Sequence, residues 1–458
     1  MTVKPFRLAQ PFFSGQNVIS LLVGVSSAAL VLYPIFYLIQ ASLNVGDPQA
    51  RPPTAYGVAN YGGLARYPEM LTNTLLVAFL ATVMAVVIGF VMGWILTRTN
   101  VPRRATFEQL MALPYYVTPL MGALAWSLLG SPGSGFLNEI WRAVGGRGYL
   151  INLNNAYGIA WVMALFEGSV AFVMIGAVMK SMDPALEEAS QVLGAGRIRT
   201  MLRITLPLVA PGVLGASIFV FAEMLGSFSA AVVLGLPNRF YVVTTAMYHL
   251  ISQNPPQIPL AAAMGTSLFA VMFVMLYAYR RIVSAGSYVT ITGKAFRPRV
   301  MNVGGLRWAL FGTCGLYVFI AVVLPVFTLI YASFQKLATV FPPRSNWTLG
   351  NYVTAMSMDA VRTALWDSLL LGVATATIGV LLMGLLSWII YRSRLPGRGV
   401  IEYIVMLPQA VPRLVFGFGL MWAWLVFPVR IFGTLWLLLI AYLTVFLPLG
   451  VRTISGVM

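Results

Sequence analysis

Long apolar runs alternate with short polar breaks along the whole chain. The runs lie near Val18–Ile39, Leu71–Leu96, Phe107–Leu129, Tyr157–Met179, Leu208–Leu234 and Pro259–Ile282. They resume near Leu306–Ser333, Leu365–Tyr391, Ile401–Phe427 and Ile431–Val451. Each is long enough to cross about 30 Å of hydrocarbon as a helix. A bilayer core supplies no water to unpaired backbone groups, so a spanning segment of this kind must be helical. The pattern predicts an all-α polytopic membrane protein with about ten transmembrane helices. Pro114 and Pro119 interrupt the third run.

One polar break is patterned as a helix. Residues 182–211 read MDPALEEASQVLGAGRIRTMLRITLPLVAP. Asp183 suits an N-cap and Pro184 the first helical position. Glu187 and Glu188 follow in or near the first turn, where the helix dipole favours negative charge. Leu186, Ala189 and Leu193 share one face. Gly194 and Gly196 supply a helix end, and Pro207 and Pro211 mark re-entry into the membrane. The stretch predicts a short amphipathic helix on a basic loop between two spans.

The chain repeats itself. Trp94 and Trp388, Arg98 and Arg392, Pro102 and Pro396, Arg104 and Arg398, Glu108 and Glu402, and Leu113-Pro114 and Leu407-Pro408 all match at an offset of 294 residues. Pro34 and Pro325, Ala41-Ser42 and Ala332-Ser333, and Asn60-Tyr61 and Asn351-Tyr352 match at 291. The division predicted is a tail over 1–17, a first half over 18–283, a basic linker over 284–305 and a second half over 306–458. Six spans precede the linker, so the two halves share one orientation as a parallel repeat. Such a repeat places a pathway between halves. The second half reaches Met458 at the end of its fourth span. By the repeat, a second helical loop and two more spans are expected beyond it, so the second half reads as incomplete and the chain as truncated.

Charge orients the spans. The tail, the 98–104 loop, the 180–206 loop, the 280–307 linker with Lys294, Arg297 and Arg299, and the 392–398 loop carry most of the Lys and Arg. The positive-inside rule puts these loops and the N-terminus in the cytoplasm. The chain carries 29 Lys and Arg against 12 Asp and Glu, a net charge of +17. Because the basic residues sit in short loops between apolar runs, the excess reads as a topology signal and not as nucleic-acid binding. Only 9% of residues are charged and 59% are hydrophobic, far from the roughly 25% charged residues of soluble domains. Cys314 is the one cysteine and His249 the one histidine, so a Cys/His metal cluster is not expected. His249 reads as an exposed loop or interfacial residue.

Candidate chemistry is sparse. No Gly-x4-Gly-Lys-Ser/Thr phosphate loop occurs, since Gly293-Lys294 is followed by Ala. The chain is therefore not expected to hydrolyse ATP. Glu167 and Glu223 stand inside apolar runs, where a carboxylate is costly and faces a cavity or a partner. Both are candidates for the translocation pathway. Pro114 and Pro408 occupy equivalent places, either as simple kinks or as breaks that bare backbone carbonyls to a cavity. Tyr115, Tyr116 and Thr118 follow the first of them.

The loop carries a family resemblance. Glu188-Ala189-Ser190, three residues, Gly194, nine residues, Ile204, one residue and Leu206-Pro207 resemble the "EAA" loop of bacterial ABC-importer permeases, with Ser190 for the second Ala. The resemblance implies the ABC type I importer permease fold, with residues 182–207 as the coupling loop for a cytoplasmic ABC ATPase homodimer. It further implies a periplasmic substrate-binding protein, no cofactor on this chain, and ATP and Mg on the partner ATPase. In such an importer, closure of the ATPase dimer opens the pathway outward and hydrolysis resets it. The segment Glu223-Met-Leu-Gly226-Ser-Phe228 resembles a ferric-permease signature, with Ser227 for Asp and Ser229 for Gly. Ferric iron is thus the first expected substrate; polyamine, sulfate, thiamine and phosphonate remain open, as does an ion-gradient-driven secondary transporter. A membrane scaffold without transport is a further alternative.

Overall fold

The computed structural model describes residues 15–47, 53–183, 185–285, 300–393, 395, 397–429 and 431–458. The basic tail over 1–14, Pro184 and the linker residues Lys294, Arg297 and Arg299 lie outside the described residues. Among the described residues eight helices are long and apolar enough to cross a membrane, and two bent pairs raise the number to as many as ten. In chain order the spans are Ser20–Ser42, Pro68–Arg98, the pair Arg104–Tyr116 and Pro119–Gly130, Ala156–Ser181, Met201–Leu225 and Ile258–Tyr279. Leu306–Ser333, Asp359–Tyr391, the pair Arg398–Ala410 and Arg413–Val426, and Leu435–Ser455 follow. We number these first to tenth. All ten predicted segments are present as helices.

The second span shows how such a helix holds together. Pro68 opens it, where its missing N–H leaves no bond unmade. The hydroxyls of Thr74, Thr82 and Thr97 donate to carbonyls four residues back, at 2.6, 2.7 and 2.7 Å. Polar side chains are thereby satisfied inside the helix, as an apolar surround requires. Ala78, Ala81 and Ala85 are fully buried, and small residues of this kind let helix backbones approach closely. The fourth span takes the central place, with 67% of its apolar window buried.

The third and ninth spans are broken. The two pieces of the third meet at 90° and those of the ninth at 111°. Val117 and Thr118 are extended, and so is Val411. Thr118 precedes Pro119 and Val411 precedes Pro412, and a residue before proline is driven out of helical geometry. Pro114 and Pro408 sit one turn earlier, each buried at the start of a short helical turn. Pro119 and Pro412 redirect the chain, while Pro114 and Pro408 initiate the turn that leads up to the break.

The repeat is written in hydrogen bonds. Asn60 Nδ2 donates to the carbonyls of Ser42 at 3.0 Å and Asn44 at 2.7 Å. Asn351 Nδ2 donates to the carbonyls of Ser333 at 2.9 Å and Gln335 at 2.7 Å. The hydroxyls of Ser42 and Tyr61 pair at 2.8 Å, and those of Ser333 and Tyr352 at 2.6 Å. Isolated antiparallel bridges join Asn44 to Tyr56 and Gln335 to Trp347. Each pair of features is related by the 291-residue offset read from the sequence.

Packing cuts across the two halves. One compact unit comprises Met1–Gly63, Asn254–Phe269 and Met356–Met458, the other Leu64–Gln253 and Ala270–Ala355. In the first unit the first span packs on the ninth. There Tyr33 lies 5.9 Å from Trp424, ring to ring, and a Cβ on Gly419 would come within 2.8 Å of the Pro34 carbonyl oxygen. In the second unit the seventh span packs on the third and fourth. Phe311 meets Phe107 edge to face at 5.2 Å, and the Tyr317 hydroxyl donates to the Leu165 carbonyl at 2.7 Å. The leading span of each half thus belongs to the unit built from the other half's second, third and fourth spans.

Two helices between spans carry no clear sequence signal. Phe136–Ala143 forms within the Gly- and Asn-rich connection over 130–156, and Val243–Ile251 within the polar one over 235–258. Glu139 on the first accepts from Thr339 Oγ1 and from the Val340 backbone N–H, both at 2.8 Å. His249 is exposed on the second, beside the Tyr241 ring at 5.3 Å.

Candidate functional site

The predicted loop helix forms as Ala185–Val192. Asp183 Oδ1 accepts from the Ala185 N–H at 2.9 Å, which satisfies one orphan donor of the first turn. At the far end Gly194 takes φ +81°, and the Ala195 N–H reaches back to the Ser190 carbonyl at 3.1 Å. That six-to-one bond across a left-handed residue is a Schellman closure, and it puts glycine where a side chain is strained. The Ser190 and Thr200 hydroxyls pair at 3.0 Å, which ties the helix to the turn that follows.

The amphipathic helix is mounted with its apolar face outward. Leu186 is 51% exposed, Val192 88% and Leu193 86%. Ala189 is exposed as well. Among the described side chains of this helix the buried one is an acid: Glu187 is 2% exposed. One Glu187 oxygen accepts from the Thr205 hydroxyl at 2.6 Å, and the other lies 3.6 Å from the Arg98 guanidinium. Glu187 therefore does more than complement the helix dipole; it anchors the helix. The side chain of Glu188 lies outside the described residues.

Arg98 is the last residue of the second span and 1% exposed. Its Nη2 donates to the carbonyls of Met179 at 2.5 Å and Met182 at 3.1 Å, at the end of the fourth span. It thus adds bonds at a helix end, where intrahelical partners run out; the Met179 carbonyl also accepts from the Met182 N–H at 3.3 Å. Thr205 reaches Glu187 from the five-residue π turn Met201–Thr205 that opens the fifth span. Ile204 and Leu206 flank it half-buried, and Pro207 is exposed. In the sequence Arg98 stands out as the repeat partner of Arg392 and as the first residue of the basic 98–104 loop. The signal for its role was an arginine at the end of an apolar run that is otherwise uncharged. Arg392 at the equivalent place donates to the Met458 carbonyl.

The candidate pathway residues occupy other elements. Glu167 is half-buried midway along the fourth span, two residues from the carbonyl that Tyr317 binds. Glu223 is also half-buried. It is not in mid-span: the helix ends at Leu225, and a second helix, Ser229–Leu234, begins after Gly226-Ser-Phe228. Glu223 sits on the last turn before that break, where the Ser227 carbonyl accepts from Thr244 at 2.8 Å. Tyr115 is 59% exposed and Tyr116 77%, next to buried Pro114. Pro408 is buried on the ninth span.

Residues 85–286, from within the second span past the end of the sixth and including the helix Ala185–Val192, match the family described as the binding-protein-dependent transport system inner membrane component. A Haemophilus influenzae protein named as a ferric transport system permease is 27% identical over 92% of this chain and 66% of its own length. The ferric transport system permease protein of Actinobacillus pleuropneumoniae is 26% identical over 92% of this chain and 60% of its own length. The chain thus spans 66% and 60% of the length of these two relatives. The molybdenum transport system permease protein of Escherichia coli is 32% identical over 40% of this chain and 78% of its own length. With its family of membrane helices and this matched stretch, the chain belongs to the binding-protein-dependent transport system inner membrane components.

Proposed function

We propose that this chain is the permease of an ATP-driven importer and carries a small solute, ferric iron first, from periplasm to cytoplasm. A separate cytoplasmic ABC ATPase, working as a homodimer, supplies the energy and holds the ATP and Mg. A periplasmic binding protein supplies the solute. The N-terminus and the docking loop face the cytoplasm, following the basic loops. One observation carries the reading: a short helix with the EAA-type spacing turns Leu186, Val192 and Leu193 outward while a buried ion pair fixes its base. Apolar side chains on an anchored, exposed helix suit insertion into a groove on a partner. Ferric iron is favoured because the relatives named for it match over 92% of the chain, against 40% for the molybdenum relative. Glu167 and Glu223 serve the pathway in this reading.

The test joins Gly194→Asp with Glu188→Lys. The pair is expected to abolish co-purification of the ATPase and ATP-dependent uptake of ferric iron. Uptake and ATPase binding that both persist refute the loop as the docking element. Uptake that survives loss of the ATPase but collapses with the ion gradient points to a secondary transporter instead.

A further inference from the structure

The docking helix makes a short connection to the fifth span through Thr205, and a buried one to the second span. The buried one among its described side chains, Glu187, meets the guanidinium that also binds the end of the fourth span. Arg98 is held from behind as well. Its carbonyl accepts from the Met301 N–H at 2.8 Å, and the Asn100 N–H donates to the Met301 carbonyl at 3.1 Å. Asn100 Oδ1 accepts from the Val303 N–H at 2.9 Å, and Val303 is 1% exposed. The end of the second span is therefore fixed on both its side-chain and backbone sides.

We propose that Arg98 is a positioning residue for coupling. It makes the docking helix move as one body with the second and fourth spans, so that displacement of the loop reaches the membrane helices instead of being absorbed at Met182-Asp183. This deepens the importer reading and rests on it. Three properties support it. The guanidinium fork is planar and always charged, so it holds a carboxylate and two carbonyls at once. The pair is removed from solvent, so it is little weakened by salt. The joint it spans, from Met179 to Glu187, contains the helix end at Ser181 and an extended residue at Met182, which is the natural place for a hinge.

The test uses the full chain with its ATPase, in cells given radiolabelled ferric citrate, with molybdate and sulfate in parallel. Glu187→Gln keeps an oxygen for Thr205 but removes the charge. Arg98→Lys keeps the charge but loses the fork. Both are expected to bind the ATPase and hydrolyse ATP, with uptake per ATP lowered roughly tenfold, within the range of ordinary coupling between sites. A purely structural role lowers the amount of assembled complex and leaves that ratio unmoved. Uptake per ATP equal to wild type in both variants overturns the proposal and leaves the importer reading standing. A wild-type chain whose solute uptake does not depend on ATP refutes that reading and the proposal with it.

Discussion

The Arg98 guanidinium stands 3.6 Å from the Glu187 carboxylate, with the two side chains 1% and 3% exposed. Removing one member of a buried pair strands the other charge, at a cost of about 3–5 kcal/mol. Arg98→Met is expected to lower the stability of the purified chain by that amount in thermal unfolding, visible as a clear fall in the transition temperature. Arg98→Met joined with Glu187→Met should recover most of the loss, because no charge is then left without a partner. A single variant within about 0.5 kcal/mol of wild type contradicts the pairing.

Gly194 and Gly196 were both legible as helix enders, but only Gly194 has a left-handed backbone, at φ +81°. Open space surrounds both. Any penalty at these positions is therefore backbone strain and not collision. Gly194→Ala is expected to cost about 1 kcal/mol and to raise the rate of proteolytic cleavage within residues 185–200. Gly196→Ala should stay within about 0.5 kcal/mol of wild type. Equal effects at the two positions would remove the Schellman closure from the account.

The repeated asparagines separate bonding from burial. Asn60 and Asn351 make matching pairs of bonds to backbone carbonyls, but Asn60 is half-buried and Asn351 exposed. Water replaces a lost donor only where it can reach. Asn60→Leu is expected to cost about 1–3 kcal/mol and Asn351→Leu less than about 1 kcal/mol. Thermal unfolding of the two variants side by side checks the order, and a reversed order contradicts it.

The spans were legible because hydropathy alone decides which segments cross a bilayer. The repeat was legible because its spacing survives in residues with structural duties: Asn60 and Asn351 bond to equivalent carbonyls, and Arg98 and Arg392 end equivalent spans. Partner choice was not legible. An apolar helix looks the same on every face, so nothing in the runs says that the first span packs on the ninth. The place of Glu223 at a helix end is not legible either, because the break at Gly226-Ser-Phe228 lies inside one long run, Leu208–Leu234. In sequence Glu187 has only the pattern of a first-turn acid, because its partner lies far back in the chain, beyond the reach of a local pattern.

Close approach of the first and ninth spans gives a steric prediction. A Cβ on Gly419 would sit 2.8 Å from the Pro34 carbonyl oxygen, which is backbone and unable to swing aside, while Gly417 has open space. Gly419→Val is expected to cost about 1–3 kcal/mol by overpacking. Gly417→Ala should be neutral or slightly stabilising, since alanine is the better helix former by about 1 kcal/mol. The two measured in the same detergent decide it; a harmless Gly419→Val means the spans are not in contact there.

The outward face of the helix Ala185–Val192, proposed to dock on the ATPase, separates folding from partnership. Val192 and Leu193 are 88% and 86% exposed, so replacing them with serine removes little buried area and should change stability by less than about 0.5 kcal/mol. If the tip enters a groove on the ATPase, the same change removes two anchors from a desolvated centre, where single side chains carry about 2 kcal/mol or more of binding. The double variant is therefore expected to unfold at the wild-type temperature and yet lose the ATPase in a pull-down, with uptake falling in proportion. Arg98→Met should behave in the opposite sense, with lowered stability but an unchanged tip. If the tip variant keeps the ATPase, the docking surface lies elsewhere on the loop, and the exposed arginines Arg199 and Arg203 become the surface to change next.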